Sequence, residues 1–117
     1  MLNSVNIMGN LTRDPELRKA GEVSMCSFTV AVDRDFTSRE SGERETDFID
    51  CVAWRKDAEF LCKYFKKGSP IVVTGRLRSR SWTDKDDNRR RVLEVEVADL
   101  YFGDTKKGSR DTNEETE

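Results

Sequence analysis

Histidine is missing from this 117-residue chain, and cysteine and long apolar runs are scarce. Histidine is the commonest general base and the commonest metal ligand, so its absence argues against an enzyme, and we predict no metal or other cofactor. The three cysteines, Cys26, Cys51 and Cys62, are an odd number without a C-x-x-C pair and lie in apolar segments. They are therefore predicted to be reduced core residues of a cytoplasmic protein.

Targeting and membrane signals are lacking as well. No run of about 18 apolar residues is present, so no membrane-spanning segment is predicted. The N-terminal run MLNSVNIMGNL has neither the basic start nor the apolar stretch of a secretion signal. The length fits a single compact domain whose core needs neither disulfides nor metals.

Positive charge is concentrated in the middle of the chain, although the net charge is only −2. Residues 54–91 carry 12 basic and 5 acidic side chains, a net charge of +7. The segments on either side are acidic, with net charges of −4 for residues 1–53 and −5 for residues 92–117. A cationic segment between acidic ends predicts a local anion-binding surface.

Alternating apolar residues predict five strands. In order, the runs are NSVNIMGNL, VSMCSFTVAV, TDFIDCVAW, PIVVTGRLRSRSW and RRRVLEVEV. Gly9 in the first run is a candidate bulge or close-approach point. The connections are predicted as a turn (TRDPELRKAGE), a polar hairpin tip around Gly42 and a turn (TDKDDN) between the last two strands.

One segment, KDAEFLCKYFKKG, has helical spacing, with Ala58, Leu61, Cys62 and Phe65 on one face and Gly68 at its end. We therefore predict an all-β fold, a five-stranded OB-fold Greek-key barrel with one α-helix between strands 3 and 4. Residues 1–103 are expected to form this domain. Residues 104–117, DTKKGSRDTNEETE, are expected to be a disordered acidic tail.

The run GRLRSRSW places Arg76, Arg78, Arg80 and Trp82 on one face of a strand, with Leu77 on the other. Three unpaired guanidinium groups cannot be buried, so this face is predicted to be exposed. Trp82 is then a platform on which a base can stack, and the alternative is a tryptophan that packs in the core or the hairpin.

A second strand, TDFIDCVAW, presents aromatic residues in the same way. Phe48 and Trp54 lie six residues apart on one face, and the opposite face is the more apolar one. If the apolar face is turned to the core, both rings point outward; the alternative is that they pack against the helix. Phe36 is a weaker candidate that could instead brace a hairpin.

Basic residues accompany these rings. They are either phosphate contacts or a solvated face, in part paired with the aspartates of the turn TDKDDN. The interleaving of cations with rings favours the first interpretation. The candidate phosphate contacts are Arg34, Arg55, Lys56, Arg76, Arg78, Arg80, Lys85, Arg89, Arg90 and Arg91.

Three motifs, GNLTRDPELR, WRKDAE and GRLRSRSW, make residues 1–103 similar to bacterial single-stranded DNA-binding proteins. The resemblance implies an OB fold that assembles as a homotetramer and winds single-stranded DNA over aromatic and basic outer faces, without enzymatic activity. By position it implies that bases stack on Phe36, Phe48, Trp54 and Trp82.

The chain departs from the family pattern at several points. Asp50 stands where the family often has a basic residue, which is expected to weaken phosphate contact. Phe36 and Phe48 stand where tryptophan is common, so their rings are smaller. The long Gly/Gln/Pro-rich linker and the acidic, phenylalanine-ended tip are missing. The resemblance is therefore to a short-form paralogue, a mobile-element version or a truncated product of the family, and it does not imply recruitment of replication and repair proteins through such a tip.

The sequence thus predicts sequence-independent binding and protection of single-stranded DNA during replication, recombination and repair, in the cytoplasm at the nucleoid. The first strand is a candidate for pairing between subunits, because the unpaired N–H and C=O groups of an edge strand can bind another strand. Two other hypotheses stay open. An OB-fold RNA-binding or translation factor would use the same rings and sense the 2′-hydroxyl. A protein-interaction module would dock its basic strand on an acidic partner.

Overall fold

The computed structural model describes residues 1–37, 42 and 44–103, except for the side chains of residues 36 and 37. Six strands and one helix follow along the chain: β1 (Val5–Leu11), β2 (Arg18–Ala20), β3 (Val23–Thr37), β4 (Arg44–Trp54), α1 (Lys56–Tyr64), β5 (Pro70–Thr83) and β6 (Arg89–Phe102). The predicted tail, residues 104–117, and most of the predicted hairpin tip lie outside the described residues. In the described part of the chain, no helix is long and apolar enough to cross a membrane.

The strands close into a barrel. Their order is β1-β5-β6-β4-β3-β2, and an additional pairing of β1 with β3 closes the five long strands, with β2 added along the edge of β3. All pairs are antiparallel except β4 with β6. This topology confirms the predicted OB-fold barrel with its single helix.

The short strand β2 lies in the segment TRDPELRKAGE, for which the sequence predicts a turn. Its three residues are all exposed and have no apolar alternation, and they pair along the edge of β3. With β2 counted, α1 lies between the fourth and fifth strands; among the five long strands it lies between the third and fourth, as predicted.

The core is built from the apolar side of each long strand. Cys26, Phe28 and Val30 point inward from β3, and Ile71 and Val73 point inward from β5, because alternate residues share a face. The helix closes one end of the barrel with the buried side chains of Ala58 and Leu61, next to Phe65. Full burial of a side chain such as Leu61 stabilises the fold by about 1.5–3 kcal/mol.

The helix is shorter than predicted. It ends at Tyr64, and the next residue, Phe65, is already extended with φ −118° and ψ 152°. Gly68, predicted at the helix end, lies in the following turn with φ 87° and donates its backbone N–H to the carbonyl of Leu11 at 2.8 Å. A glycine is needed at this position, since a positive φ is costly for other residues.

Gly9 permits the barrel to close. At the β1–β3 pairing, a Cβ atom on Gly9 would lie 2.2 Å from the carbonyl oxygen of Ala31 and 2.9 Å from Cγ1 of Val30. The predicted close-approach point is therefore confirmed, and any side chain there would push β1 away from β3.

Strands β5 and β6 extend past the barrel as a two-stranded arm. Beyond Gly75, β5 pairs only with β6 among the described residues, and its residues 76–83 are all exposed. The arm ends in the predicted turn, where Oδ1 of Asp84 accepts backbone N–H groups from Asp86 and Asn88 at 3.0 and 2.9 Å. The arm thus carries its side chains into solvent on both faces.

Candidate nucleic-acid interface

One side of the sheet formed by β4, β6 and β5 faces away from the core; we call it the outer face. Its members follow from the register, in which Val52 lies beside Glu96 and Glu96 lies beside Arg76. Since side chains alternate along each strand, the outer face also collects the neighbours two residues away. The predicted ring positions on β4 and the predicted arginine row on β5 therefore share one surface.

On β4, the inward and outward faces are those that the alternation predicts. Cys51 and Ala53 are buried in the core, whereas Phe48 is 68% exposed and Trp54 is 36% exposed. Both rings are therefore available at the surface and neither is held in the core. Between them, Val52 is buried although it belongs to the outer face, because long side chains from β5 and β6 line the groove above it.

On β5, the arginine row Arg76, Arg78 and Arg80 is exposed together with Trp82, which is 43% accessible. The guanidinium carbon of Arg80 lies 5.0 Å from the ring centroid of Trp82, a cation–π contact. This contact positions the cation over one face of the indole. A flat anionic ligand could use both groups at once.

Glu94 and Glu96 also belong to the outer face, and sequence analysis did not identify them as part of the site. Arg76 Nε and Nη2 donate to Oε1 of Glu96 at 3.1 and 2.9 Å, and Arg78 Nη1 donates to Oε2 of the same residue at 2.7 Å. Arg80 Nε donates to Glu94 at 3.1 Å. Three cations therefore meet two carboxylates, and the row is much less positive than the sequence suggested.

Two further candidate phosphate contacts are ion-paired. Arg34 donates to both oxygens of Asp47 at 3.1 and 3.0 Å, which lowers the pKa of that carboxyl. Arg90 donates to Asp84 at 2.8 Å and lowers its pKa in the same way. The contact of Arg90 with Asp84 is the pairing with the TDKDDN turn that the sequence offers as the alternative to a phosphate contact.

The remaining five candidate cations are exposed, and within the described ranges they form no ion pair. They are Arg55, Lys56, Lys85, Arg89 and Arg91. Arg55 and Lys56 lie at the start of α1, and Lys85 lies in the turn at the tip of the β5–β6 arm. Arg89 and Arg91 pair with Thr83 and Ser81, so they lie on the side of the arm opposite Trp82 and the arginine row.

Trp54 stands between two grooves. A groove of about 400 Å³ runs from Trp54 over Val52 to Arg78 and Arg80. A second groove, of about 610 Å³, also borders Trp54. It is lined by Arg55 and Lys56 together with the acidic residues Glu22, Asp57 and Glu59. A chain of planar groups and anions can therefore pass over the indole from one groove to the other.

The backbone at Arg55 is strained where β4 turns into α1. Arg55 has φ 58° and ψ −125°, a conformation that costs a non-glycine residue about 1–3 kcal/mol. The backbone N–H of Arg55 donates to the carbonyl of Ser24 at 2.7 Å, and the carbonyl of Arg55 accepts the backbone N–H of Glu59 at 3.1 Å. These bonds fix the direction in which the chain leaves Trp54 and so place Arg55 beside the indole.

Phe36, the fourth predicted ring, belongs to β3, but its side chain lies outside the described part of the structure. The cysteines contribute no chemistry to the outer face. Burial raises the pKa of both Cys26 and Cys51 to about 12, so these thiols stay protonated at neutral pH. Among the described residues, no group of acidic residues and cysteines could hold a metal ion.

A small OB barrel whose exposed rings and guanidinium groups share an outer face has the architecture of an oligonucleotide-binding domain. The sequence profile described as "Single-strand binding protein family" matches residues 2–103. The chain therefore belongs to the single-strand binding protein family.

Curated relatives match most of the chain. It is 48% identical over 103 residues to a single-stranded DNA-binding protein of Halalkalibacterium halodurans, a match that covers 87% of this chain and 61% of that protein. Single-stranded DNA-binding protein A of Bacillus subtilis is 45% identical over 109 residues, with coverages of 92% and 63%. Single-stranded DNA-binding protein 2 of Listeria monocytogenes is 46% identical over 108 residues, with coverages of 91% and 66%. The chain thus spans less than two thirds of the length of these relatives.

Proposed function

We propose that this protein binds single-stranded DNA without sequence preference, and that it acts by binding and not by catalysis. The observation that carries the proposal is the position of Phe48, Trp54 and Trp82 on the same surface as the arginine row. Rings stack on the π-face that every base has, so they bind without reading base edges. The names of the relatives, all single-stranded DNA-binding proteins, support DNA as the ligand.

Roles follow from the chemistry of each side chain. Phe36, Phe48, Trp54 and Trp82 stack bases, and the ten candidate cations named above contact phosphates. The five that form no ion pair among the described residues make the first contacts, because they have no carboxylate partner to leave. The binding activity resides in residues 1–103, which include every one of these side chains, and residues 104–117 take no part in stacking.

The biological role follows from the ligand. Single-stranded DNA is exposed during replication, recombination and repair, and a sequence-tolerant binder protects it at each of these steps. We place the protein in the cytoplasm, at the nucleoid, where such strands arise.

We also propose that the protein assembles as a homo-oligomer, a tetramer by analogy with its family. β1 supports this proposal, because Val5–Gly9 pair with β5 on one side only among the described residues, which leaves strand groups available to a second copy. Light scattering at micromolar concentration should give a mass of several 13.5-kDa chains. A monomer would reject the assembly and leave the DNA-binding proposal intact.

The test of the main proposal is a fluorescence titration with oligo(dT) at two salt concentrations. Tryptophan emission should be quenched, and the affinity should fall as salt rises because phosphate contacts release counterions. Competition with an RNA oligonucleotide of the same length and sequence discriminates the RNA-binding alternative. A preference for RNA would favour that alternative, and no binding at low salt would favour a protein-interaction module.

A further inference from the structure

Glu96 occupies a central position in the arginine row. Its side chain is only 21% exposed, and one carboxylate bridges two guanidinium groups, those of Arg76 and Arg78. Glu94 holds Arg80 and is 12% exposed. These carboxylates stand on β6, the strand between the rings of β4 and the arginines of β5. An anion that approaches the row therefore meets arginines whose charge these carboxylates already partly neutralise.

A carboxylate and a phosphate present the same kind of acceptor to arginine. Guanidinium groups bind either one through parallel N–H···O bonds, so the two anions compete for the same donors. Glu96 uses donors of both arginines at distances of 2.7–3.1 Å. The two arginines are therefore already arranged around one anion, in the geometry that a backbone phosphate needs.

We infer that Glu96 occupies the place of a DNA phosphate between Arg76 and Arg78 and that DNA must displace it, so that Glu96 limits the affinity of the protein. The inference rests on the proposed function and concerns the regulation of the same site. The two arginines lower the pKa of Glu96, Arg76 most strongly, so the competing carboxylate stays ionised at neutral pH. Glu94 occupies the corresponding place beside Arg80.

The experiment replaces Glu96 by glutamine, which keeps the shape of the side chain and removes its charge. E96Q should bind oligo(dT) about threefold more tightly or better, the effect of one like charge removed at about 6 Å in water. The logarithmic salt slope should steepen by about 0.7 for each additional phosphate that the freed arginines neutralise. D99N makes the same change in net charge next to Asp57 of α1, away from the arginine row, and should leave the affinity unchanged.

E94Q is the second variant, and it removes the carboxylate that pairs with Arg80. If circular dichroism shows that E96Q does not fold, the oligo(dT) affinity of E94Q tests the inference instead. Affinity that is unchanged or weaker in the folded glutamine variants would overturn the inference, because the carboxylates would then only position the arginines. Equal tightening in D99N would also overturn it, since net charge alone would explain the effect. If the wild-type protein does not bind oligo(dT), the proposed function itself is rejected.

Discussion

Removal of the Trp54 ring is the most direct test of the proposed stacking surface, because this ring borders both grooves. Stacking is worth about 1–3 kcal/mol per base, so Trp54→Ala should weaken oligo(dT) binding by about 5- to 150-fold. The loss of stability should be smaller than for a core ring, whose truncation costs about 3–5 kcal/mol, because 36% of Trp54 is exposed. The variant should therefore remain folded at 25 °C.

The chain contains only two tryptophans, which makes the assay site-specific. In Trp54→Phe, the quenching that accompanies binding reports Trp82 alone, and in Trp82→Phe it reports Trp54 alone. Both phenylalanine variants keep a ring and should lose much less affinity than the alanine variants. Trp82→Ala should weaken binding as well, although it also releases Arg80 from its contact with the indole.

The salt dependence separates stacking from charge. Trp54→Ala removes no charge, so the slope of log affinity against log salt should equal that of the wild type while the affinity falls at every salt concentration. If Trp54→Ala and Trp82→Ala are both folded and both bind with wild-type affinity, the stacking mechanism is refuted. A changed slope in Trp54→Ala would mean that the ring acts by placing Arg55 and Lys56.

Three further predictions concern the fold. Gly9→Ala should destabilise the protein by about 1–3 kcal/mol in urea denaturation, because its Cβ meets a β3 carbonyl; an unchanged midpoint would contradict the close approach. Cys26 and Cys51, with pKa values of about 12, should not react with a thiol reagent at pH 8 until the chain unfolds, and rapid labelling of the native protein would contradict their burial. Arg90 lowers the pKa of Asp84, so the stabilisation from this pair is present above the usual carboxyl pKa and disappears as pH falls through the lowered value. Arg90→Gln should raise the Asp84 midpoint in a carboxyl NMR titration, and an unmoved midpoint would contradict the pairing.

The five long strands and the outward rings could be predicted because alternation determines which face of a strand is buried. Ile49, Cys51 and Ala53 identify the inner side of β4, and the positions of Phe48 and Trp54 follow from that. Alternation fails to predict the buried face where a strand contains a single extra residue. In β6, Val95 and Val97 are buried and so is Leu100, because the register with β5 shifts between Thr74 and Gly75.

The arrangement of the arginines opposite the glutamates could have been predicted from the sequence, whereas the register of β4 with β6 could not. Once TDKDDN is taken as the turn, Arg76 must face Glu96 and Arg78 must face Glu94, and alternation in LEVEV places both carboxylates on one side. Two of the three ion pairs are diagonal, because Arg78 contacts Glu96 and Arg80 contacts Glu94. The parallel β4–β6 pairing joins segments that no short turn connects, so its register depends on core packing. That pairing is what brings the rings of β4 beside the arginine row.

The architecture also predicts how strongly salt should weaken binding. Ten phosphate contacts on single-stranded DNA would give a logarithmic salt slope near −7, at about −0.7 per contact. Five of the ten candidate cations already have carboxylate partners: Arg34, Arg76, Arg78, Arg80 and Arg90. A cation that exchanges a carboxylate for a phosphate releases little net counterion, since the freed carboxylate attracts a cation of its own. The slope should therefore lie nearer about −3.5, with the rings supplying the salt-independent part of the free energy. Oligo(dT) titrations from about 50 to about 300 mM salt measure it directly. A slope near −7 would show that these ion pairs do not persist in solution and do not reduce the number of counterions released.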